Sequence, residues 1–308
     1  MTAIDIKIKK LFFPFGKLVL IILLIIFFSQ DVGHFVREGI TLCFSVIVGS
    51  VFPFMIITDL AKPLFQNNGK SLFKSAFEKI LKVNKAAFNA YAFSLLCGFP
   101  LGAKMCDELY AEGIITKDEF ERFIGFSSTS SPAFVISGIG AAMRESVNDG
   151  IALYVISILS SITVGALFAN GHTFSNKKIE NKKEKFDLIT SVRHSTAQTI
   201  NVCGFVILFS VITGLILSSK LPIYLKFIIT PFLEISNAAK LLSSSNEINL
   251  SLSFVLTSFA VSFTGFSAHL QVKSFISDRS ISMKRYYIMK LLIGLLSMII
   301  AFLYTCFL

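Results

Sequence analysis

The chain has 308 residues, 54% of them hydrophobic and 16% charged, with a mean hydropathy of +0.72 and a net charge of +10. That balance excludes an ordinary soluble domain and points to a protein that crosses a membrane several times. Its lysines lie in short segments between apolar runs, where membrane topology and anionic lipid headgroups account for them, so no nucleic-acid partner is expected.

Lys7, Lys9 and Lys10 precede an apolar run, and Phe28-Ser29-Gln30 offers no small-x-small cleavage site. Residues 11–29 therefore read as an uncleaved first span with the N-terminus in the cytoplasm. The following loop, with Asp31, His34, Arg37 and Glu38, has no basic excess and is expected outside. A second span runs from about Gly39 to Ala61, kinked near Pro53, with Asp59 close to its inner end. Between Lys62 and Lys85 there are six lysines and one glutamate, which places this segment inside. Leu72, Phe73, Ala76, Phe77, Ile80 and Leu81 recur there at helical spacing, the pattern of an amphipathic helix on the inner surface.

Gly98, Pro100 and Gly102 interrupt the apolar stretch 86–112, because proline removes a backbone donor and glycine leaves the backbone poorly determined. Each arm is too short to cross about 30 Å of hydrocarbon, so a re-entrant hairpin is expected. A kinked ordinary helix, or a close-packing Gly98-x-x-x-Gly102 face, would also fit these residues. Thr116-Lys117-Asp118-Glu119 has the form of a capping box and starts a helix that meets five consecutive hydroxyls, Ser127, Ser128, Thr129, Ser130 and Ser131, then Pro132. This second interruption predicts a broken span, followed by an outer loop at Arg144–Asp149 and an inward span over Ile151–Ala169. The polar stretch to Arg193 carries Lys177, Lys178, Lys182, Lys183 and Lys185 and belongs inside.

The second half repeats these parts upside down. Thr196–Leu217 crosses outward. Leu221 to about Leu242 is interrupted by Pro231 and Glu234-Ile235-Ser236-Asn237, which predicts a second hairpin. Leu250–Ile276 returns inward, broken around Thr264-Gly265-Phe266-Ser267, and Tyr286–Phe307 is the last span, placing the C-terminus outside. The fold expected is all-α and polytopic, about seven spans, an inverted repeat with two hairpins and two broken helices. Such repeats carry their site where the breaks meet.

Five cysteines without a C-x-x-C pair indicate neither a disulfide framework nor a metal site. Gly69-Lys70-Ser71 has Leu64 where a phosphate-binding loop needs glycine, and no G-x-S-x-G or H-E-x-x-H run appears. Translocation rather than catalysis is expected, with no cofactor.

Gly98-Phe99-Pro100-Leu101-Gly102-Ala103-Lys104, the Thr116–Phe123 helix start, Ser127–Pro132, Leu233-Glu234-Ile235-Ser236-Asn237 and Ser267-x-His269-x-Gln271 resemble, in that order, the YlbJ/SpoVV sporulation integral membrane proteins. That family carries the Gate or nucleoside-recognition domain related to concentrative nucleoside transporters. The resemblance covers roughly residues 40–305. It departs at Cys97, where serine is usual, in the Ser127–Ser131 run, which lacks the family's asparagines and glycine, and at Ala238. It implies residues 1–38 as an N-terminal segment with the first span and 39–308 as a Gate-type transporter domain, with repeats at about 86–170 and 221–308. It further implies a bacterial membrane carrier moving dipicolinate across the outer forespore membrane. A nucleoside-type carrier and a non-transporting assembly factor in spore envelope formation are the alternatives.

Within that frame the partners expected are a small organic anion and the lipid bilayer, and a homo-oligomer is compatible. Lys104, beside the Gly98–Pro100–Gly102 tip, would meet the anion, or else snorkel or pair with Asp107 or Glu108. Ser127, Ser128, Thr129 and Ser130 would satisfy freed backbone groups or contact a carboxylate. Glu234 is either a proton- or sodium-coupling carboxylate or a cap on its own tip, and Asn237 either meets the solute or caps a helix. His269 and Gln271 lie past the last break, His269 as a proton carrier or a packing residue.

Charge alternation places Lys70 and Lys183 inside and Asp149 and Leu308 outside. Single cysteines at these positions in a cysteine-free background test this with an impermeant maleimide. Asp149 and Leu308 should label in sealed cells, and labelling at Lys183 would overturn the arrangement.

Overall fold

The computed structural model describes residues 29–49, 52–53, 55–57, 60, 72–175, 187–276 and 280–307. The expected span 11–28, Asp59, Lys70, the run from Lys177 to Lys185, Arg279 and Leu308 lie outside them. Every regular element among the described residues is helical. Ser29–Leu42 is α1, Leu72–Leu81 α2, Phe88–Cys97 α3 and Leu101–Ala111 α4. Lys117–Ser127 is α5, and Ala133–Met143 is α6, a wide helix whose last turn closes from Arg144 N–H to Ile139 O, five residues back. Val147–Ala169 is α7, Leu188–Ser218 α8, Ile223–Leu233 α9 and Ile235–Ser244 α10. Leu250–Phe263 is α11, Gly265–Ser274 α12 and Lys284–Cys306 α13.

Local chemistry sets the starts of these helices. Thr116 and Glu119 form the expected capping box, each side chain bound to the other's backbone N–H. Ser146, Asp187 and Asn249 accept from first-turn amides of α7, α8 and α11, satisfying donors that no carbonyl can reach. Those caps start α7 and α8 several residues before the apolar runs that suggested them.

Four stretches are long and apolar enough to cross a membrane: α7, α8, α11–α12 taken together, and α13. In Leu250–Ser274, 72% of the apolar window is buried, against 39%, 28% and 33% in α7, α8 and α13. The broken stretch α11–α12 is therefore central, and the three continuous helices turn more of their surface outward. α11 packs along α13 and α7, and α5 and α6 both lie against α7.

The segment Asp31–Glu38, expected as a loop, lies inside α1. Packing decides this: α1 runs along α8, with the Phe35 ring over Gly214 and Gly39 against Ile207, where any Cβ would meet atoms at 2.2 and 2.9 Å respectively. Such close approaches need glycine. The amphipathic α2 buries Phe77 and Leu81 and leaves Leu72, Phe73 and Ile80 exposed.

One end of the molecule is closed by a polar clasp. The Arg122 guanidinium is fully buried and donates to Leu81 O and Lys82 O, both at 2.7 Å, which are last-turn carbonyls of α2 and its exit. Its Nε meets Asp118 Oδ2 at 3.1 Å, and Arg285 at the start of α13 donates to Asp118 Oδ1 at 2.6 Å. The buried Glu119 carboxylate accepts from Asn84 N at 2.8 Å and Ser175 N at 3.1 Å besides its own cap. Elsewhere Arg144 joins the end of α6 to α7 and α11, donating at 2.9 Å to both Asp149 and Ser253.

Removing the clasp guanidinium leaves two carbonyls without that donor, at about 1–3 kcal/mol each. Arg122→Met should therefore lower stability by at least about 2 kcal/mol, read as a drop in detergent melting temperature. Lys117→Met, which deletes a single exposed donor to Ser280 O, should change it little.

Candidate functional site: two tips docked into two broken helices

Each half of the fold presents a pair of short helices, then an interrupted helix, then a continuous one. In the first half α3 ends at Gly98, whose φ of 78° suits glycine, and α4 begins after Pro100. The peptide bond Phe99-Pro100 is cis. α3 and α4 press together at Gly102, where a Cβ would stand 2.7 Å from Ser94 Cβ. This tip docks into the gap between α5 and α6. Phe99 N–H donates to Thr129 O at 2.8 Å, and a Cβ on Gly98 would lie 2.6 Å from Ser131 N.

The hydroxyl run fills that gap largely by serving its own backbone. Ser128 Oγ donates to Ile124 O at 2.7 Å, Ser131 Oγ accepts from Phe134 N at 3.3 Å, and Ser130 Oγ reaches Val261 O of α11 at 3.3 Å. Ser127 to Ser130 are buried, and among the described residues Ser127 Oγ and Thr129 Oγ1 have no hydrogen-bond partner. Serine and threonine suit such a break because a short hydroxyl can replace the missing helical partner.

The second half uses the same device. α9 and α10 meet at Glu234, which is extended at φ −155° and caps α10 by accepting from Asn237 N at 2.8 Å. Between α11 and α12 the chain turns through left-handed Thr264 (φ 71°) and Gly265 (φ 70°). A Cβ on Gly265 would stand 2.9 Å from Leu233 O, so the second tip sits on the second break as the first does on its own.

Both tips and both breaks face one cleft. Its lining includes Phe99, Ser131, Glu234, Ser236, Ser267 and Gln271, closed by Leu42 of α1 and by Val202 and Val206 of α8. About 90 Å³ is open to water centres, where about 10–15 Å³ holds a single water. Several waters or part of a small solute therefore fit. α6, α10 and α12 all begin at this cleft, and α4 begins two residues beyond Phe99. Four half-helix N-termini thus converge, each carrying partial positive charge.

Of the residues singled out in the sequence, Glu234 and Gln271 line the cleft, and Gly98, Pro100 and Gly102 shape the tip beside it. Within the hydroxyl run it is Ser131, not Ser127 to Ser130, that lines the cleft. Asn237 acts through its backbone on Glu234. His269 turns into a ring cluster with Phe263, Tyr286 and Tyr287, its Nε2 2.7 Å from Phe263 O. Lys104 stands in a separate recess with Asp107, Glu108 and Asn201, and donates to Gln198 Oε1 at 3.0 Å. It follows Pro100 by one full turn of α4, which carries it past the tip and toward α8.

Sequence reasoning missed Lys290. It is buried in α13 and donates to Ser128 O, in the first break, at 2.9 Å. The signal was present: a lysine six residues inside an apolar span is a functional candidate by default.

Sporulation integral membrane protein YlbJ of Bacillus subtilis (strain 168) is 24% identical over 301 aligned residues, covering 84% of this chain and 74% of the relative. The chain is similar to this sporulation protein along most of its length. It is an integral membrane protein by that relationship and by its apolar helices. No family model matches the chain, and no solved structure does.

The docked tips are testable against a glycine of like dihedral. Gly171 has φ 77° with nothing within 4 Å of a Cβ, so Gly171→Ala carries only the dihedral cost, about 1–2 kcal/mol. Gly98→Ala and Gly265→Ala should each cost a further 1–3 kcal/mol or so from overpacking. Equal melting temperatures for all three variants would show that the tips are not seated.

Proposed function

We propose that the protein is a secondary transporter of a small organic solute, with dipicolinate in sporulation the leading solute. The observation that carries this reading is the convergence of two helix tips and two helix breaks on one cleft. In transporters this arrangement presents half-helix ends to substrate near the bilayer midplane. On this reading α3–α4 and α9–α10 are re-entrant hairpins of an inverted repeat, the Gate-type domain of the family resemblance. The relative is named a sporulation integral membrane protein, in keeping with work at the forespore membrane.

A carboxylate entering the cleft would find first-turn amides of α12, whose N-cap Thr264 supplies no side-chain cap, together with Ser267 and Gln271. Those donors would take the place of Lys104, which sits outside the cleft. No lysine or arginine is among the described lining residues. That observation favours a second reading, an uncharged polar solute of nucleoside type.

The test is binding to purified protein, with dipicolinate and uridine as competing probes, and dipicolinate content of spores and mother cells in a deletion strain. Dipicolinate should bind and should fail to enter deletion spores. Gln271→Leu deletes a hydrogen-bonding group from the lining and should weaken binding about 3- to 10-fold, whereas Lys104→Met should leave it within about 2-fold. Binding of uridine alone would establish the second reading. Binding of neither, with normal spore dipicolinate, would leave a membrane assembly role.

A further inference from the structure

Lys290 is 1% exposed, and its one hydrogen bond among the described residues is to Ser128 O. An ammonium has three donors, and among the described residues no carboxylate stands within ion-pair distance of this one. An uncompensated charge buried at this depth is costly, and lysine can shed its proton in desolvated sites. The carbonyl it holds neighbours the one that receives the first tip, since Thr129 O accepts from Phe99 N–H.

A second titratable group holds the second break in the same manner. His269 is 1% exposed, and its Nε2 lies against Phe263 O at the end of α11. A carbonyl only accepts, so Nε2 carries the hydrogen, and Nδ1, without a partner among the described residues, offers a lone pair. Among the other elements packed on α13, α11 has no titratable residue. The nearest charges on α5 are Glu121 and Arg122, six or more residues before Ser128, or about 9 Å along the helix. α7 contributes Asp149 and Tyr154, α12 adds Lys273, and α13 itself carries Lys284, Arg285, Tyr286 and Tyr287.

We infer that Lys290 is a proton-binding site that couples solute passage to proton movement, with its ammonium locking the first break and its neutral amine releasing it. The proton leaving Nζ passes to water, and the neutral amine that remains no longer carries the charge that holds Ser128 O. This rests on the transport reading.

The experiment uses the full chain in proteoliposomes with labelled dipicolinate and a pH-sensitive dye inside. Wild type should accumulate solute under an imposed pH gradient and move protons with it. Lys290→Arg keeps charge and donors but cannot release its proton in this range, and Lys290→Gln has none to release. Lys290→Gln should keep solute-for-solute exchange and lose gradient-driven accumulation, and Lys290→Arg, always charged and so always locked, should lose both. Accumulation by Lys290→Arg equal to wild type would make Lys290 a structural donor and overturn the inference. Should a variant fail to fold, wild-type solute entry without proton movement overturns it instead. Absence of exchange in wild type is a different result, which removes the transport reading and the coupling with it.

Discussion

A helix interrupted inside a membrane frees backbone N–H and C=O groups that lipid cannot satisfy, and the structure depends on how those groups are met. Two interruptions occur here, at Ser128–Ser131 and at Thr264. At the first, freed groups find side-chain hydroxyls, an amide of a neighbouring tip and a buried ammonium. At the second, Phe263 O finds an imidazole while a glycine lets the other tip come close. Some of these partners are local, as the hydroxyls and His269 are, and others, Phe99 N–H, Lys290 and the tip seated at Gly265, come from elsewhere in the chain. The breaks thereby tie α3–α4 to α5–α6, α9–α10 to α11–α12, and α13 to both.

The need for close approach explains why glycine stands at Gly98, Gly102 and Gly265. A methyl group at any of them would meet backbone or side-chain atoms at less than 3.0 Å, below ordinary contact. The tips are therefore seated by what is missing from these residues. The cleft follows from that seating, because two tips held against two breaks leave their helix N-termini facing one space.

Away from the cleft, charge is handled differently. Arg122, Asp118, Arg285 and Glu119 form a connected clasp in which carbonyls and amides of several helices share a few ionic groups. Arg144 does similar work between α6, α7 and α11. Lys290 stands apart from both clusters, and among the described residues its hydrogen bond is to a carbonyl alone. A lysine placed that way is held by geometry rather than by a counter-charge, which is why its protonation would bear on the first break.

The sequence by itself determined where most of the helices break, though Pro231, expected to interrupt, lies inside α9, and α7 and α8 start several residues before their expected spans. The capping box at Thr116–Glu119, the interruptions at Gly98–Pro100, Ser127–Pro132, Glu234 and Thr264–Gly265, and the apolar runs were all legible, because caps, prolines and glycines act on their own dihedrals and nearest amides. The helical state of Asp31–Glu38 was not legible, since packing of Phe35 on Gly214 decides it. Nor was the membership of the cleft. Lys104 is next to the tip in sequence and outside the cleft in space, while Ser236, Ser267 and Ser131 line it and Lys290 reaches the break from the far end of the chain. Which donor meets Ser128 O or Thr129 O depends on contacts with segments elsewhere in the chain, Lys290 and Phe99, and only the tertiary structure decided them.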